Sequence, residues 1–196
     1  MIYLDNAATT LYKPRAVEQA VRRAMYGAAG YARGGYAAAS RAGELVYACR
    51  EQAAALFGVG EPERVIFTLN ATHALNIAIN ALVKPDSRVI VSGYEHNAVM
   101  RPLTARNIEP TVLDTPLWDG AAMVSALKQA LEHGANLMIL SHVSNVFGSI
   151  APLDEIAELL TAAGVPLILD ASQSAGVLEV NLTGWGAAFA AMPGHK

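Results

Sequence analysis

The chain has 196 residues, of which 53% are hydrophobic and 16% charged, and its net charge is −3. This length allows a sizeable core, and the composition is typical of a globular protein rather than a disordered one. The acidic balance, without a clustered basic stripe, argues against a nucleic-acid surface, and no apolar run reaches the length of a membrane span.

The N-terminus and the cysteine content bear on the compartment and on metal binding. Residues 1–5 lack the basic and apolar regions of a signal peptide, so we expect a cytoplasmic protein. A single cysteine, Cys49, excludes an internal disulfide and any multi-cysteine metal site, and we predict no metal site. Because Cys49 falls within a helix-like segment, we expect a buried structural thiol rather than a nucleophile.

The first third of the chain predicts an arm and two helices. Residues 3–10 are polar and small, and they are too few to fold alone. A helix is expected over residues 14–26, followed by a mobile loop rich in glycine and tyrosine over residues 27–36. A longer helix over residues 37–57 would end at Gly58.

From residue 64 onward, strand and helix patterns alternate. Strands are predicted over residues 65–67, 88–91, 111–113, 137–140, 167–169 and 187–191, and helices over residues 72–83, 98–107, 121–132 and 153–163. Pro102 lies inside the second of these helices, so that helix must bend or start late. Repeated βα units with buried apolar strands predict an α/β fold of three layers, in which a mostly parallel sheet has helices on both faces.

An acid and an amine follow two of the predicted strands. Asp170 ends the apolar run of residues 166–169, and Lys196 follows the strand of residues 187–191. Open parallel sheets bind ligands at the carboxyl ends of their strands, so both groups would face one crevice. This pair suits pyridoxal phosphate, whose carbonyl takes an amine as a Schiff base and whose pyridine nitrogen takes an anionic partner. The alternative is that Asp170 caps a turn and Lys196 is a solvated surface residue.

Further polar motifs follow other strands at the same edge. Residues 70–72 open a helix whose free N–H groups, with the Thr72 hydroxyl, could hold an anion, unless Thr72 only caps its own helix. His96 could stack on a cofactor ring or move a proton, or it could be a hydrogen-bonded structural residue. Asn145 and Gln173 could donate to a phenolate oxygen or cap turns. The recurrence of such motifs at one edge favours a functional interpretation.

Taken in order, these motifs resemble the class-V aminotransferase superfamily of fold-type-I pyridoxal phosphate enzymes, specifically its cysteine desulfurase and selenocysteine lyase branch. The resemblance covers essentially the whole chain and rests on residues 3–9, 67–72, 95–99, 142–145, 170–174 and 194–196. It implies an aspartate aminotransferase-like large domain. Residues 1–30 would form an N-terminal arm and helix, and residues 31–196 the N-terminal part of the cofactor-binding domain.

The resemblance also implies a role for individual residues. Lys196 would carry pyridoxal 5′-phosphate and then act as the proton-transfer base, Asp170 would pair with the pyridine nitrogen, and His96 would stack on the ring and assist proton transfer. The remaining contacts are implied for Ala71, Thr72 and His195 at the phosphate, for Asn145 and Gln173 at the phenolic oxygen, and for Asn6 and Ala7 beside the substrate.

The activity implied by the resemblance is conversion of L-cysteine to L-alanine with sulfur transfer, by a homodimer that passes sulfur to an acceptor protein. An aminotransferase, an epimerase or another pyridoxal phosphate lyase would share every residue visible in this sequence. A catalytically incomplete fragment with a binding or assembly role is a further alternative. A nucleotide-binding α/β domain is disfavoured because no glycine-rich dinucleotide fingerprint follows the first strand.

Three departures from the family pattern stand out. Pro193 replaces the common serine before Gly-His-Lys, and Asn70 replaces the more usual glycine of the phosphate turn. Family members also run for roughly another domain beyond this lysine, and that part supplies the carboxylate-binding arginine and the nucleophilic cysteine, with which Cys49 does not align. We therefore expect the N-terminal portion of a longer polypeptide, cut after Lys196, that is inactive alone.

Overall fold

The computed structural model describes residues 2–196, and Met1, the first residue of the predicted arm, lies outside them. The chain forms two compact units. The first unit ends at Phe67 and includes His195, and the second comprises Thr68–Gly194 and Lys196. The predicted division at residue 30 stays a prediction. Within residues 2–196, every helix is either too short or too polar to cross a bilayer.

The first unit contains two helices that pack on each other, α1 (Arg15–Gly27) and α2 (Ala37–Leu56), followed by one short 3-10 turn (Pro62–Arg64). Both helices were predicted from the sequence and are confirmed. α1 has no buried residue, and the buried residues of α2 are three alanines, Ala39, Ala42 and Ala54. This unit therefore buries few large side chains of its own helices.

Two predictions for the first unit are wrong. The strand expected over residues 65–67 does not form, although the backbone at Val65 is extended, and Ile66 and Phe67 are 72% and 53% exposed. Branched and aromatic residues favour a strand, but a ladder also needs a neighbour, and no strand of residues 2–196 pairs with this segment. Cys49 is exposed rather than buried, because a helical position does not specify which face a side chain occupies.

The second unit is a parallel sheet with helices on both faces. Its strands are β1 (Val89–Ser92), β2 (Thr111–Leu113), β3 (Leu137–Ser141), β4 (Leu167–Asp170) and β5 (Ala187–Ala191). Its helices are α3 (Ala71–Leu82), α4 (Asn97–Ala105), α5 (Gly120–Glu132) and α6 (Leu153–Ala163). All strand pairs are parallel, in the order β2-β1-β3-β4-β5.

The two faces of the sheet form two hydrophobic cores, because successive side chains of a strand point to opposite faces. One core contains residues of α3 and α4 with strand residues such as Val89, Val91, Leu137, Ile139 and Ile168. The other contains residues of α5 and α6 with Ile90, Met138, Leu140, Leu167 and Leu169. This arrangement confirms the predicted three-layer α/β/α fold. Truncating a fully buried central residue such as Ile139 to alanine should cost about 2–5 kcal/mol.

Helix α4 accommodates a proline in its interior. It begins at Asn97, one residue earlier than predicted, so the expected late start is wrong. Pro102 lies within the helix and lacks the N–H that would bond the carbonyl of Ala98. The helix ends at Ala105, two residues before the predicted end at Asn107.

The strand order reverses between β1 and β3. From β1 the chain runs through α4 to the edge strand β2, and it then returns through α5 to β3 on the other side of β1. Doubly wound sheets bind ligands in the crevice at such a reversal, outside the carboxyl ends of the strands. The carboxyl edge of this sheet is therefore the expected location of a ligand site.

Candidate active site

The predicted acid and amine follow two neighbouring strands. Asp170 is the last residue of β4, is only 6% exposed, and lies opposite Ala191, the last residue of β5. Its Oδ1 atom accepts a hydrogen bond of 2.9 Å from the N–H of Ser172. Lys196 follows Ala191 by five residues. Because β4 and β5 are parallel, both groups leave the sheet at the same edge, as the sequence predicted.

The N-terminus of α3 provides backbone donors at this edge. α3 packs against β4 and β5, and only six residues join its end to the start of β1, so its beginning points towards the carboxyl ends of the strands. Asn70 is the N-cap, and its side chain accepts from the N–H of His73 at 2.8 Å. Asn70 therefore caps the helix without the Thr72 hydroxyl, and this cap does not use the N–H groups of Ala71 and Thr72.

The replacement of glycine by Asn70 has a simple conformational explanation. Its backbone angles, φ −171° and ψ 174°, are extended and open to any residue. Asparagine is also among the preferred N-cap residues, so this position gains a cap without backbone strain.

His96 is both a helix cap and an exposed ring. It is the N-cap of α4, and its Nδ1 atom accepts from the N–H of Ala98 at 3.1 Å. A neutral imidazole that accepts at Nδ1 carries its proton on Nε2. The two interpretations offered by the sequence are therefore compatible, since one nitrogen has a structural bond and the other carries a proton. Histidine is an unusual N-cap, and sequence reasoning missed this role.

The two predicted amide donors lie in turns after β3 and β4. Asn145 is exposed, and the turn that contains it is held by Ser144, whose Oγ accepts from the N–H groups of Val146 and Phe147 at 3.4 and 3.3 Å. Gln173 is half-buried, three residues beyond Asp170. The structure thus brings both amides to the carboxyl edge of the sheet.

A half-buried carboxylate that sequence reasoning missed lies at the reversal of strand order. Glu95 accepts hydrogen bonds from Ser92 Oγ at 2.6 Å, from the N–H of Ser141 at 2.9 Å and from Ser141 Oγ at 2.7 Å. Burial raises the pKa of Glu95, the three hydrogen bonds oppose this effect in part, and the charge of Asp170 adds to the rise. The available sequence signal was a serine at the end of each of two apolar strands, Ser92 and Ser141.

His142, the first residue after β3, is a packing residue. It is 5% exposed, and its ring meets that of Trp185 edge-on, with centroids 5.2 Å apart. Its Nδ1 atom has no hydrogen-bond partner within residues 2–196. Burial lowers the pKa of His142, and the charge of Asp154 opposes this effect in part. Burial therefore favours the neutral form of the ring.

The remaining predicted residues belong to the first unit. Asn6 and Ala7 are exposed in a turn. Thr9 Oγ1 donates to the carbonyl of His195 at 3.1 Å, and the N–H of Thr10 donates to the same carbonyl at 3.2 Å. The Nδ1 atom of His195 lies 3.2 Å from Thr9 Oγ1. The roles of Asn6, Ala7 and His195 stay predictions.

The donor set at the carboxyl edge of the second unit fits pyridoxal phosphate. A buried carboxylate such as Asp170 needs a cationic or donating partner, which a protonated ring nitrogen supplies. The N–H groups at the start of α3 suit a phosphate, and Lys196 is a primary amine. In the described part of the chain, no group of three or more His, Cys, Asp or Glu residues could hold a metal ion.

Comparison with known proteins gives consistent matches along the whole chain. The sequence model of the family described as Aminotransferase class-V matches residues 2–196. A probable cysteine desulfurase of Chlamydia muridarum is 35% identical over all of this chain and 50% of its own length, and the cysteine desulfurase IscS of Serratia proteamaculans is 32% identical over the same shares. The apo structure of a cysteine desulfurase from Thermococcus onnurineus NA1 superposes with a TM-score of 0.89 at 28% identity, over all of this chain and 50% of that one. The chain thus spans about half the length of the relatives it matches.

Proposed function

The chain belongs to the class-V aminotransferase family, and on that premise we propose that it forms the cofactor-binding part of a pyridoxal phosphate enzyme that removes sulfur from L-cysteine. The observation that carries the proposal is the pairing of β4 with β5, by which buried Asp170 and the segment leading to Lys196 leave the sheet at one edge. The names of the similar proteins from Chlamydia and Serratia support cysteine as the substrate.

Each group at the carboxyl edge has a role in holding the cofactor. Lys196 is the attachment point, and the Asp170 carboxylate keeps the proton on the pyridine nitrogen. The N–H groups of Ala71 and Thr72 at the start of α3 hold the phosphate, where the helix dipole adds to the attraction. Asn145 and Gln173 donate to the phenolic oxygen.

The reaction then depends on proton transfer by side chains of this chain. When bound, pyridoxal phosphate supplies an electron sink that stabilises the charge left at Cα after its proton departs. Lys196, once released from the cofactor, takes that proton as a base. His96 has its Nδ1 atom committed to Ala98, so Nε2 is the atom through which it assists proton transfer. A thiolate other than Cys49 would attack the substrate sulfur and form a persulfide. The electron pair of the broken C–S bond would stay on carbon and be protonated, which gives L-alanine.

Cofactor attachment is the first test. The full-length protein loaded with pyridoxal phosphate should show the visible absorbance of the lysine-bound cofactor, and borohydride reduction followed by peptide mass spectrometry should locate the adduct on Lys196. Lys196→Ala should lose both signals. Lys128→Ala, an exposed position on α5, is the matched control and should keep them. An adduct on another lysine would overturn the assignment.

The nature of the reaction needs a separate test, because aminotransferases and other lyases of the family share these residues. We expect stoichiometric L-alanine and sulfide from L-cysteine in the presence of a thiol reductant. Formation of a keto acid would instead indicate an aminotransferase. Full cofactor loading without any turnover would favour a protein with a binding or assembly role.

The proposal extends to the assembly and location of the protein, on the resemblance to the family. We propose a homodimer that works with a sulfur-acceptor protein in the cytoplasm. Sedimentation velocity of the full-length protein would test the dimer, and transfer of radiolabelled sulfur from cysteine to a candidate acceptor would test the partner.

A further inference from the structure

Glu95 lies where the ladder between β1 and β3 ends. Val91 and Ile139 are the last paired residues of these strands, and the backbone ladder between β1 and β3 ends there. The N–H of Ser141 lies past this point, and Glu95 Oε1 accepts it at 2.9 Å. The carboxylate therefore continues the connection between β1 and β3 after their backbone pairing has stopped.

Both oxygens of this carboxylate are used. Oε1 also accepts from Ser92 Oγ at the end of β1, and Oε2 accepts from Ser141 Oγ at the end of β3. One side chain thus joins two strands whose chains diverge, because β1 leads to α4 on one face and β3 leads to α6 on the other. This is the reversal point at which doubly wound sheets take their ligands.

The loop that carries Glu95 is short and leads directly to His96. It comprises the four residues 93–96 between β1 and α4, and its first N–H, that of Gly93, donates to the carbonyl of Leu113 at 3.1 Å. Glu95 fixes the other end of the loop. The next residue, His96, is therefore held where its Nδ1 atom accepts from the N–H of Ala98 at 3.1 Å.

We propose that Glu95 is a positioning residue that closes the gap between β1 and β3 and thereby holds His96 in its α4-capping orientation. This inference rests on the proposed function only for the role of His96 towards the cofactor. Burying a carboxylate requires desolvation, and a neutral side chain could satisfy the N–H of Ser141 without it. The positioning role depends on the three hydrogen bonds rather than on the charge, because they fix the backbone immediately before His96.

The test measures the tautomer of the His96 imidazole directly and does not require enzyme activity. In the cofactor-free, full-length protein at about pH 8.5, above the ordinary range of histidine titration, ¹⁵N NMR of the imidazole distinguishes the Nδ1–H and Nε2–H tautomers. The wild type should be predominantly Nε2–H. In Glu95→Ala, the Nε2–H to Nδ1–H ratio should fall about fivefold, the equivalent of one hydrogen bond of ~1 kcal/mol.

Two variants separate positioning from a general loss of stability. Glu95→Gln can accept from the N–H of Ser141 and donate to a serine hydroxyl, so it should restore the wild-type ratio. Asp119→Ala removes another carboxylate that caps a helix, since Asp119 Oδ1 accepts from the N–H of Ala122 at 2.9 Å, and it should leave the ratio unchanged. An unchanged ratio in Glu95→Ala, or an equal fall in Asp119→Ala, would overturn the proposal.

A double variant keeps the test possible if Glu95→Ala does not fold. The Ser92→Ala, Ser141→Ala double variant leaves only the N–H of Ser141 on Glu95 and should give an intermediate ratio, whereas a wild-type ratio overturns the inference. Cofactor loading of the wild type is scored separately. If the wild type loads pyridoxal phosphate on Lys196 but the ratio does not respond to Glu95, the positioning role fails and the proposed function stands. If the ratio responds but no cofactor binds, the proposed function fails.

Discussion

Replacing Asp170 by asparagine would separate the charge of this residue from its place in the fold. Asp170 is buried and accepts one hydrogen bond from the N–H of Ser172, which the carbonyl oxygen of asparagine can also accept. We therefore expect Asp170→Asn to change the free energy of unfolding by less than about 1 kcal/mol. The substitution removes the negative charge that we propose faces the pyridine nitrogen.

The effect on catalysis follows from the Coulomb energy of that pair. Two unit charges at a hydrogen-bond distance of ~3 Å interact by about 5 kcal/mol at an effective dielectric constant of about 20. Loss of the whole interaction in the transition state would slow the reaction up to about 10⁴-fold, and we expect a fall in kcat of at least about 10²-fold.

The assay is L-alanine formation from L-cysteine by the full-length protein, alongside cofactor absorbance and urea unfolding of the same preparations. Asp114→Asn serves as the matched control and should retain wild-type kcat, because Asp114 is exposed and directly follows β2, which two strands separate from β4. If Asp170→Asn carries a full complement of cofactor and its kcat stays within about tenfold of wild type, the assignment of Asp170 to the pyridine nitrogen is refuted.

Three further predictions concern Glu95, Asn70 and Cys49. Since burial raises the folded pKa of Glu95, its protonation favours folding below the unfolded value of about 4.3, and that contribution is lost as pH rises through the raised pKa. In urea unfolding, Glu95→Gln should therefore gain stability relative to wild type as pH rises through this window. A difference in the free energy of unfolding that does not change with pH would contradict the raised pKa of Glu95. Asn70→Ala removes the cap of α3 and should cost about 1 kcal/mol in the same assay, whereas an unchanged midpoint would show that the cap is dispensable. Cys49→Ser should leave L-alanine formation unchanged, and a loss of activity would assign this exposed thiol a role in sulfur transfer.

The second unit was predictable because its elements have strong local signals. Helix α6 and strand β5 have the predicted bounds, and α6 ends at Gly164, whose φ of 64° is the left-handed conformation that glycine readily adopts. The three central strands β1, β3 and β4 are short and almost entirely buried, which is typical of a parallel sheet, whereas the edge strands β2 and β5 are partly exposed. Where a segment needed a distant neighbour, as over residues 65–67, the local pattern predicted a strand that does not form.

The candidate site was predictable only in part. Parallel strands all end at one edge, so the polar residues that follow them could be grouped without knowing the strand order. The hydrogen-bond network of Glu95 could not be predicted, because Ser92 and Ser141 are 49 positions apart and come together only when β1 pairs with β3. The capping bond of His96 was missed because histidine is rarely an N-cap, so no sequence pattern indicated it.

The register between β4 and β5 explains why Asp170 and the segment leading to Lys196 share one edge of the sheet. The ladder has an irregularity between Leu167 and Ile168, whose partners are Ala187 and Phe189, so one residue of β5 is left over at its beginning. A one-residue slip turns every later side chain to the other face. After the irregularity the pairing is regular as far as Asp170 and Ala191, and the N–H of Ala171 donates to the carbonyl of Ala191 at 2.9 Å. The misfit is thus confined to the amino end of β5, and the end that leads to the lysine keeps the register that the buried acid requires.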